Sequence, residues 1–261
     1  MNHLIAFALT LATCSSTLAQ HAGDIVLSVE NGRIRTSVEV DGGAPQPSRV
    51  FASELGEVEP GYSDEPGFDN LPGTFPFPSG IGFRVVGPML RWANGVGDGR
   101  DPETMHVAFS VLGPVDSGAC NNTVEGFSLP VGSNGTWHRH LEFTINPAAP
   151  TGVYLLGLAL FSTAETFAPS ESFWIVFNHS APETDHDAAI QWAEVALAAR
   201  ACDADFDASS AIGVPDIFAF LSAWFGGADN PDGWRADFDG SCTLGVPDIF
   251  AFLSAWFAGC G

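Results

Sequence analysis

The sequence predicts a mostly β protein with a small α-helical module at its C-terminal end. Three observations lead to this prediction: a succession of short strand-like segments, one amphipathic helix after them, and a repeated loop-and-helix segment at the end. The expected architecture is an antiparallel β-sandwich over residues 20–180, a linking helix over 181–200, and a module of two calcium-loop-and-helix repeats over 201–261.

Composition limits the partners that this chain can have. Its 261 residues carry 31 aspartates and glutamates against nine arginines and no lysine, which gives a formal charge of −22. Nucleic acids and anionic membrane surfaces need a basic footprint, so this charge argues against both and leaves cations as the natural counterparts. Because 46% of the residues are hydrophobic and only 15% are charged, the chain can still bury a core.

The N-terminus has the pattern of a secretory signal peptide. Residues 4–11 form a short apolar run, and residues 17–19 supply the small-residue cleavage site before Gln20. The predicted signal peptide is therefore residues 1–19, which places the protein outside the cell or in its envelope. No later segment is long and apolar enough to suggest a direct membrane span.

About nine strand-like segments follow. They are bounded by Gly, Pro and Asn turns and no helical pattern interrupts them, which is typical of an antiparallel sandwich of jelly-roll or immunoglobulin-like kind. The segments are Ile25–Val29, Ile34–Val40, Arg49–Leu55, Ile81–Val86, Met105–Leu112, Gly126–Val131, His138–Ile145, Val153–Ser162 and Phe173–Asn178. The side chains expected to face the core are Phe143, Tyr154, Leu156, Phe161, Trp174 and Val176.

The best candidate site among these strands is a pair of histidines, His138 and His140. Residues two apart on a strand share a face, and two imidazoles side by side suit zinc, copper or nickel. A carboxylate or a third histidine has to complete the ligand set, and the candidate histidines are His21, His179 and His186. The alternative is an exposed histidine pair on a solvated strand face.

The linking helix is predicted over residues 182–199. Thr184 is the expected N-cap, acidic residues follow it in the first turn, and Ala188, Trp192 and Val195 lie on the expected apolar face. This helix should join the sandwich to the C-terminal module.

The C-terminal segment repeats itself. Residues 213–225 read GVPDIFAFLSAWF, and residues 245–257, 32 positions later, read the same thirteen letters. Apolar residues recur in each copy at a spacing of three and four, so each loop precedes an apolar helix. The two helices can pack together, although neither would be stable alone.

Each repeat also has the spacing of a twelve-residue calcium loop. Oxygen ligands stand at positions one, three, five and twelve, with a backbone carbonyl at position seven, and calcium prefers six to eight oxygens in such a flexible loop. The predicted ligands of the two ions are Asp205, Asp207, Ser209, Ala211 and Asp216 in the first loop, and Asp237, Asp239, Ser241, Thr243 and Asp248 in the second.

Two departures from the usual loop should weaken calcium binding. Position five is serine in both loops, and position six, where glycine is usual, is Ser210 in one and Cys242 in the other. The alternative is that the acidic residues are turn and helix N-cap residues that only stay solvated.

This loop-then-helix duplicate, without the entering helix of a full EF-hand, resembles a type I dockerin. It is most similar to the cysteine-bracketed dockerin-like modules that end many secreted planctomycete proteins, here from Cys202 to Cys260. The resemblance implies a non-catalytic anchoring module that binds calcium and docks onto a cohesin-like or other envelope receptor. It also implies that the residues at the tenth and eleventh loop positions recognise the receptor; these residues are Val214, Pro215, Val246 and Pro247.

Cysteine usage is consistent with export. Removal of the signal peptide leaves Cys120, Cys202, Cys242 and Cys260, for which three connectivities exist. A disulfide between Cys202 and Cys260 is favoured because these residues bracket the repeats, and it would contribute about 4 kcal/mol through loop entropy. Cys120 and Cys242 pair only if the two parts of the chain dock closely.

The residues before the repeats give no clear enzymatic signal. The segments VFASELGEVEPGYSDEPGFDN, WHRHLEFTI, GVYLLGLALFS and SFWIVFNHS resemble an uncharacterised secreted β-domain of planctomycete proteins, which implies no activity. The Gly-x-Ser-x-Gly, HExxH and P-loop motifs are all lacking. We therefore favour an exported, non-catalytic binding or display protein anchored by its C-terminal module. The alternatives are a carbohydrate-binding or polysaccharide-degrading protein carried by a dockerin, and a secreted transition-metal-binding protein.

Overall fold

The computed structural model describes residues 23–40, 42–93, 95–99, 103–164 and 166–260. The predicted signal peptide and His21 lie outside these ranges. Within them, no helix is long and apolar enough to cross a membrane. Strands dominate up to residue 179 and helices follow, so the prediction of a mostly β fold with a small α-helical part is confirmed. We call residues 23–179 the β region and residues 201–260 the repeat region.

The strands form where apolar residues alternate or run together between turn residues. In chain order they are β1 Ile25–Glu30, β2 Arg33–Val38, β3 Gln46–Pro47, β4 Val50–Glu54, β5 Tyr62–Ser63, β6 Phe68–Asn70, β7 Gly80–Val86, β8 Leu90–Ala93, β9 Val96–Asp98, β10 His106–Phe109, β11 Leu112–Asp116, β12 Thr123–Pro130, β13 Glu142–Thr144, β14 Gly152–Ser162 and β15 Phe173–His179. The helices are α1 Glu183–Ala193, which continues as a π-helical turn over Glu194–Ala198, then α2 Val214–Gly226, α3 Gly233–Ala236 and α4 Val246–Ala258.

The strands are arranged in three sheets with mixed pairing. The first has the order β3-β2-β1-β6, the second β11-β10-β13-β5, and the third β12-β7-β14-β15-β4, with β8 and β9 attached to β14. Two pairings, β1 with β6 and β4 with β15, are parallel, and the others are antiparallel. The antiparallel prediction therefore holds for most of the described pairings and is wrong for these two, whose strands are joined by long crossovers instead of hairpins.

Strand β14 is buried on both faces. Tyr154 and Leu156 point into the main hydrophobic core, where Phe143 also lies, as predicted. On the other face, Val153 and Leu155 pack under helix α1 together with Val176. Burial on both faces explains why the strand is a nearly continuous apolar run.

Three side chains of the third sheet lie elsewhere than predicted, and the first of them, Val176, packs under α1 instead of in the main core. Trp174 and Phe161 are half-buried on the outer face instead of in the main core, each beneath an arginine: Arg49 lies 5.7 Å from the Trp174 ring and Arg84 lies 4.8 Å from the Phe161 ring. A planar guanidinium over an aromatic face makes such positions favourable at the surface.

The predicted face of the linking helix is correct only in part, since Trp192 packs against the cluster beneath the helix whereas Val195 faces solvent. Pro182 is the N-cap, so the helix starts before Thr184, which lies inside it. The buried positions of α1 are His186, Ala189 and Ala193, followed by Leu197, whereas Val195 is 68% exposed. Small alanine side chains let the helix approach the sheet closely, and this packing determines which face is buried.

Candidate functional site

The two repeats form a symmetrical pair of helices. The rings of Phe220 in α2 and Phe252 in α4 stack with their centroids 4.2 Å apart and an interplanar angle of 2°. Trp224 Nε1 donates to the Gly245 carbonyl at 3.0 Å, and Trp256 Nε1 donates to the Gly213 carbonyl at 2.9 Å. A tryptophan of each helix therefore binds the glycine that immediately precedes the other helix. These two hydrogen bonds fix the positions of the two preceding loops relative to one another.

Three carboxylates converge in each loop. Ligand atoms of Asp205, Asp207 and Asp216 lie within 4.8 Å of one another, and so do those of their counterparts in the second loop. The counterparts are Asp237, Asp239 and Asp248. The first and twelfth positions of both loops are buried, whereas Asp207 and Asp239 are exposed.

Backbone amides orient the carboxylate at position twelve. Asp216 accepts hydrogen bonds from the Gly213 N–H at 2.7 Å and from the Asp207 N–H at 3.1 Å. Asp248 accepts equivalent bonds, also at 2.7 and 3.1 Å, in the second loop. A carboxylate in the first turn of a helix is also favoured by the helix dipole, so each of these residues both caps its helix and closes its loop.

The two loops differ at position one. Asp205 accepts from the Ser209 N–H at 3.0 Å and from the Ala201 N–H at 2.9 Å, so both of its oxygens have partners. Asp237 accepts from the Cys242 N–H at 3.0 Å through Oδ2, and its buried Oδ1 has no hydrogen-bond partner among the described residues. An unsatisfied buried oxygen is costly, and a bound cation would compensate it.

The predicted ligands at positions five and seven are neighbours. Ser209 Oγ donates to the Ala211 carbonyl at 3.1 Å, and Ser241 Oγ donates to the Thr243 carbonyl at 3.2 Å. The backbone enters the left-handed region at position six in both loops, with φ of 64° at Ser210 and at Cys242. The turn that usually requires glycine is therefore formed without it, at an energetic cost.

The carboxylates do not titrate alike. Hydrogen bonds from Ser209 lower the pKa of Asp207, and those from Ser241 lower the pKa of Asp239. Burial raises the pKa of Asp237. When folding raises the pKa of an acid, the folded state favours its neutral form. The contribution of that form to the stability of the protein is complete below the pKa of the unfolded state, about 3.9. It is lost as the pH rises through the pKa of the folded state.

We therefore expect Asp237→Asn to be more stable than the wild type near pH 7 when calcium is chelated, because the buried charge is gone. The difference should vanish near pH 4 and should reverse in saturating calcium, where the variant loses an ionic ligand. Urea unfolding at both pH values, with calcium or chelator, measures this. The control is Asp239→Asn, which removes an exposed carboxylate and should give no gain in chelator. The same order of stability with and without calcium would contradict a calcium ligand at Asp237.

Two disulfides bracket and attach the repeat region. Cys202 pairs with Cys260, which is the pairing that the sequence favours, and Cys120 pairs with Cys242. The second disulfide joins the β region to position six of the second loop. Beside it, Asn121 Nδ2 donates to the Asp237 carbonyl at 3.2 Å, so the second loop is held against the β region by both contacts.

The predicted partner-reading residues lie at the start of the two helices. Val214, Pro215, Val246 and Pro247 are exposed. On α2, Phe218 and Phe225 continue the exposed surface of Val214, and Phe250 and Phe257 do so on α4. Spacings of four and seven place these residues on one side of each helix. Two identical apolar stripes therefore face solvent.

The histidine pair also has a partner, although not a histidine. The predicted strand over 138–145 is short, since β13 begins only at Glu142, but His138 and His140 still lie on one side, with Nε2 atoms 3.1 Å apart. A carboxylate oxygen of Asp24 lies 3.2 Å from His138 Nε2. The contact with Asp24 links distant parts of the chain, and nothing in the local sequence pattern indicates it.

The other candidate histidines do not join this pair among the described residues. His186 belongs to α1 and faces the sheet, where it is buried, with Nε2 2.9 Å from the Val176 carbonyl and Nδ1 3.3 Å from Glu54. The ring of His179 lies 6.4 Å from that of Tyr154. Neither belongs to the metal-ligating group formed by the pair.

Comparisons with known proteins give little guidance. No family model and no curated protein matches the chain. Among solved structures, it is similar to a family 123 glycoside hydrolase from Clostridium perfringens, with 10% identity and a TM-score of 0.27, over 50% of this chain and 23% of that one. It is also similar to the CooA pilin subunit of enterotoxigenic Escherichia coli, with 9% identity and a TM-score of 0.27, over 55% of this chain and 97% of the pilin. The chain thus spans less than a quarter of the hydrolase, and such distant likeness carries no functional argument.

Proposed function

We propose that this chain is an exported, non-catalytic protein whose two C-terminal repeats bind calcium and anchor a β-sandwich domain to a receptor outside the cell. The observation that carries the proposal is the convergence of three carboxylates in each loop, with the first and twelfth positions buried. Two buried arginines, Arg200 and Arg235, interact electrostatically with Asp205 in the first loop.

The chemistry of the loops supports calcium over other cations. Carboxylates that are buried close to one another are unfavourable, and a divalent ion in each loop supplies the positive charge that offsets them. The donors are carboxylates, a serine hydroxyl and a backbone carbonyl, so all of them are oxygens, which suits a hard ion with a flexible coordination shell. The millimolar calcium of extracellular fluids is enough to fill even weak sites of this kind.

The anchoring role rests on the exposed apolar stripes and on the resemblance to dockerins. The stripe residues Val214, Phe218 and Phe225 are between 56% and 77% exposed, and their counterparts on α4 have nearly the same exposure. Large exposed apolar side chains that are grouped in this way are typical of protein interaction surfaces. A cohesin-like or other envelope receptor would cover one of them. The two disulfides support export, because such bonds persist in oxidising compartments.

A carbohydrate-binding β region receives less support. A sugar-binding sheet face needs a row of exposed aromatic rings. In the described part of the β region, Phe77 is the one aromatic side chain that is largely exposed to solvent. We therefore place the binding function of this protein in the repeat region.

Capture of the receptor from solubilised cell envelope tests the anchoring role. We expect capture in calcium and none in chelator, and we expect Phe218→Ser with Phe250→Ser to weaken it about 30-fold or more, because central apolar contacts contribute about 2 kcal/mol each. The matched control is Val111→Ser, which removes an even more exposed apolar residue from the β region. Capture that is unaffected by the double substitution, while calcium binding is retained, would contradict the role of the stripes and leave the calcium sites intact.

A further inference from the structure

A group of side chains with the chemistry of metal ligands lies in the β region, separate from the two acidic loops. It consists of Asp24, His138 and His140, whose ligand atoms all lie within 4.8 Å of one another. The Nε2 atoms of the two histidines face each other at 3.1 Å, and Asp24 Oδ2 and Oδ1 lie 3.2 and 3.9 Å from His138 Nε2 and His140 Nε2, respectively.

Backbone hydrogen bonds hold the three contributing segments together. The Ile25 N–H, next to Asp24, donates to the Gly67 carbonyl at 2.7 Å. Phe68 and Arg139 exchange a pair of hydrogen bonds at 2.8 and 3.0 Å, and Arg139 is the residue between the two histidines. The site is therefore positioned by the sheet and does not depend on a mobile side chain finding its partners.

The tautomer of His140 leaves a lone pair facing the other two residues. Its Nδ1 lies 3.1 Å from the Asp64 carbonyl, which can only accept a hydrogen bond, so the proton of the neutral ring is on Nδ1. Glu65 Oε1 lies 3.4 Å from the same nitrogen, and the Gly67 N–H fixes this carboxylate by donating to its Oε2 at 3.0 Å. A carbonyl or carboxylate behind the distal nitrogen is the usual support of a metal-ligating histidine.

The arrangement also requires an open space that only glycine leaves. A Cβ atom placed on Gly67 would lie 2.6 Å from Asp24 Oδ1 and 2.7 Å from His140 Nε2, at the point where the ligands converge. Any other residue at this position would displace the carboxylate or the imidazole.

We propose that Asp24, His138 and His140 bind one divalent transition-metal ion, of which zinc is the probe used below. Ligands at 2.0–2.1 Å from zinc in tetrahedral geometry place two nitrogens about 3.3 Å apart, close to the observed 3.1 Å separation. Two imidazoles and one carboxylate favour zinc or copper over calcium. His138 is 57% exposed, so the remaining coordination position faces solvent and takes water or an external ligand.

The test measures zinc binding to the purified full chain by competition with a chromophoric chelator. The buffer contains saturating calcium, so that calcium and not zinc occupies the acidic loops. We expect one tightly bound zinc ion per chain. His138→Ala removes a largely exposed ligand, and we expect it to weaken binding about 100-fold or more, while Glu65→Gln should weaken it about 10-fold. Gly67→Ala should abolish the site, and cobalt absorption should report four or five coordination in the wild type but not in Gly67→Ala.

The matched control is His106→Ala. His106 pairs with Asp116 at 2.7 Å on the β10–β11 hairpin, so it is a histidine beside a carboxylate that lacks a second imidazole. Its loss should leave the tight zinc ion in place. A wild type that binds no zinc in excess of the His138→Ala variant would overturn the proposal and assign the three residues to a hydrogen-bonded cluster. Circular dichroism of each variant shows that a loss of zinc is not a loss of fold.

Discussion

Chelation of calcium is expected to lower the melting temperature of the purified protein by about 10 °C or more. A ligand at a hundredfold excess over its dissociation constant stabilises the folded state by about 2.7 kcal/mol per site, so two filled sites contribute about 5 kcal/mol. The physical source is the pair of buried carboxylates in each loop, Asp205 with Asp216 and Asp237 with Asp248, which repel each other when no cation is bound.

Asp216→Asn together with Asp248→Asn should remove this stabilisation. Asparagine keeps the shape and one side-chain oxygen, so the hydrogen bonds from the Gly213 and Gly245 N–H groups can persist while the charge is lost. Scanning calorimetry in calcium and in chelator measures both effects. The matched control is Asp116→Asn, a surface acid in the β region, which should leave the calcium-dependent shift unchanged. A double variant that keeps the full shift would contradict the assignment of position twelve.

Removal of the disulfide between Cys120 and Cys242 should produce a loss of similar size. These residues are 122 positions apart, and a crosslink over such a loop contributes about 5 kcal/mol through the entropy of the unfolded chain. The disulfide also holds position six of the second loop, whose N–H donates to Asp237. We therefore expect Cys120→Ala with Cys242→Ala to unfold more easily and to bind calcium more weakly in the second loop than in the first.

Replacing Cys242 by glycine separates the two roles of this residue. Cys242 has a φ of 64°, where alanine is strained and glycine is not. Cys120→Ala with Cys242→Gly should therefore lack the disulfide but recover about 1 kcal/mol relative to the double alanine variant. Urea unfolding of both variants measures the difference. Equal stability of the double alanine variant and the wild type would show that the repeat region does not depend on this crosslink.

The sequence was most informative where the relevant contacts are local. The carboxylates of each acidic loop fall within twelve residues, so their spacing alone predicts that they converge, and the duplication of the motif makes the pattern specific. The strand Val153–Ser162 was also recognisable, because few structures other than a buried strand fit an apolar run of this length between turns. Its lack of alternation was a signal for burial on both faces, and hence for the packing of α1, which the core prediction did not use.

The features that escaped prediction depend on contacts between distant segments. Asp24 meets His138 only because β1 lies parallel to β6 and Phe68 of β6 bonds to Arg139. The disulfide between Cys120 and Cys242 requires the repeat region to dock on the β region. The periodic hydrophobic patterns of a sequence indicate helices and strands, but they do not indicate which regions dock together. The face of α1 was misjudged for the same reason, since the sheet beneath the helix selects Ala189 and Ala193.

Direct calcium counting tests the central claim. Equilibrium dialysis of the purified protein against calcium, followed by elemental analysis, should give two ions per chain for the wild type. It should give one ion for Asp216→Asn and one for Asp248→Asn, and none when both are changed. Fewer than one ion per chain at millimolar calcium, or a count that neither substitution alters, would contradict the proposal that these two loops are calcium sites.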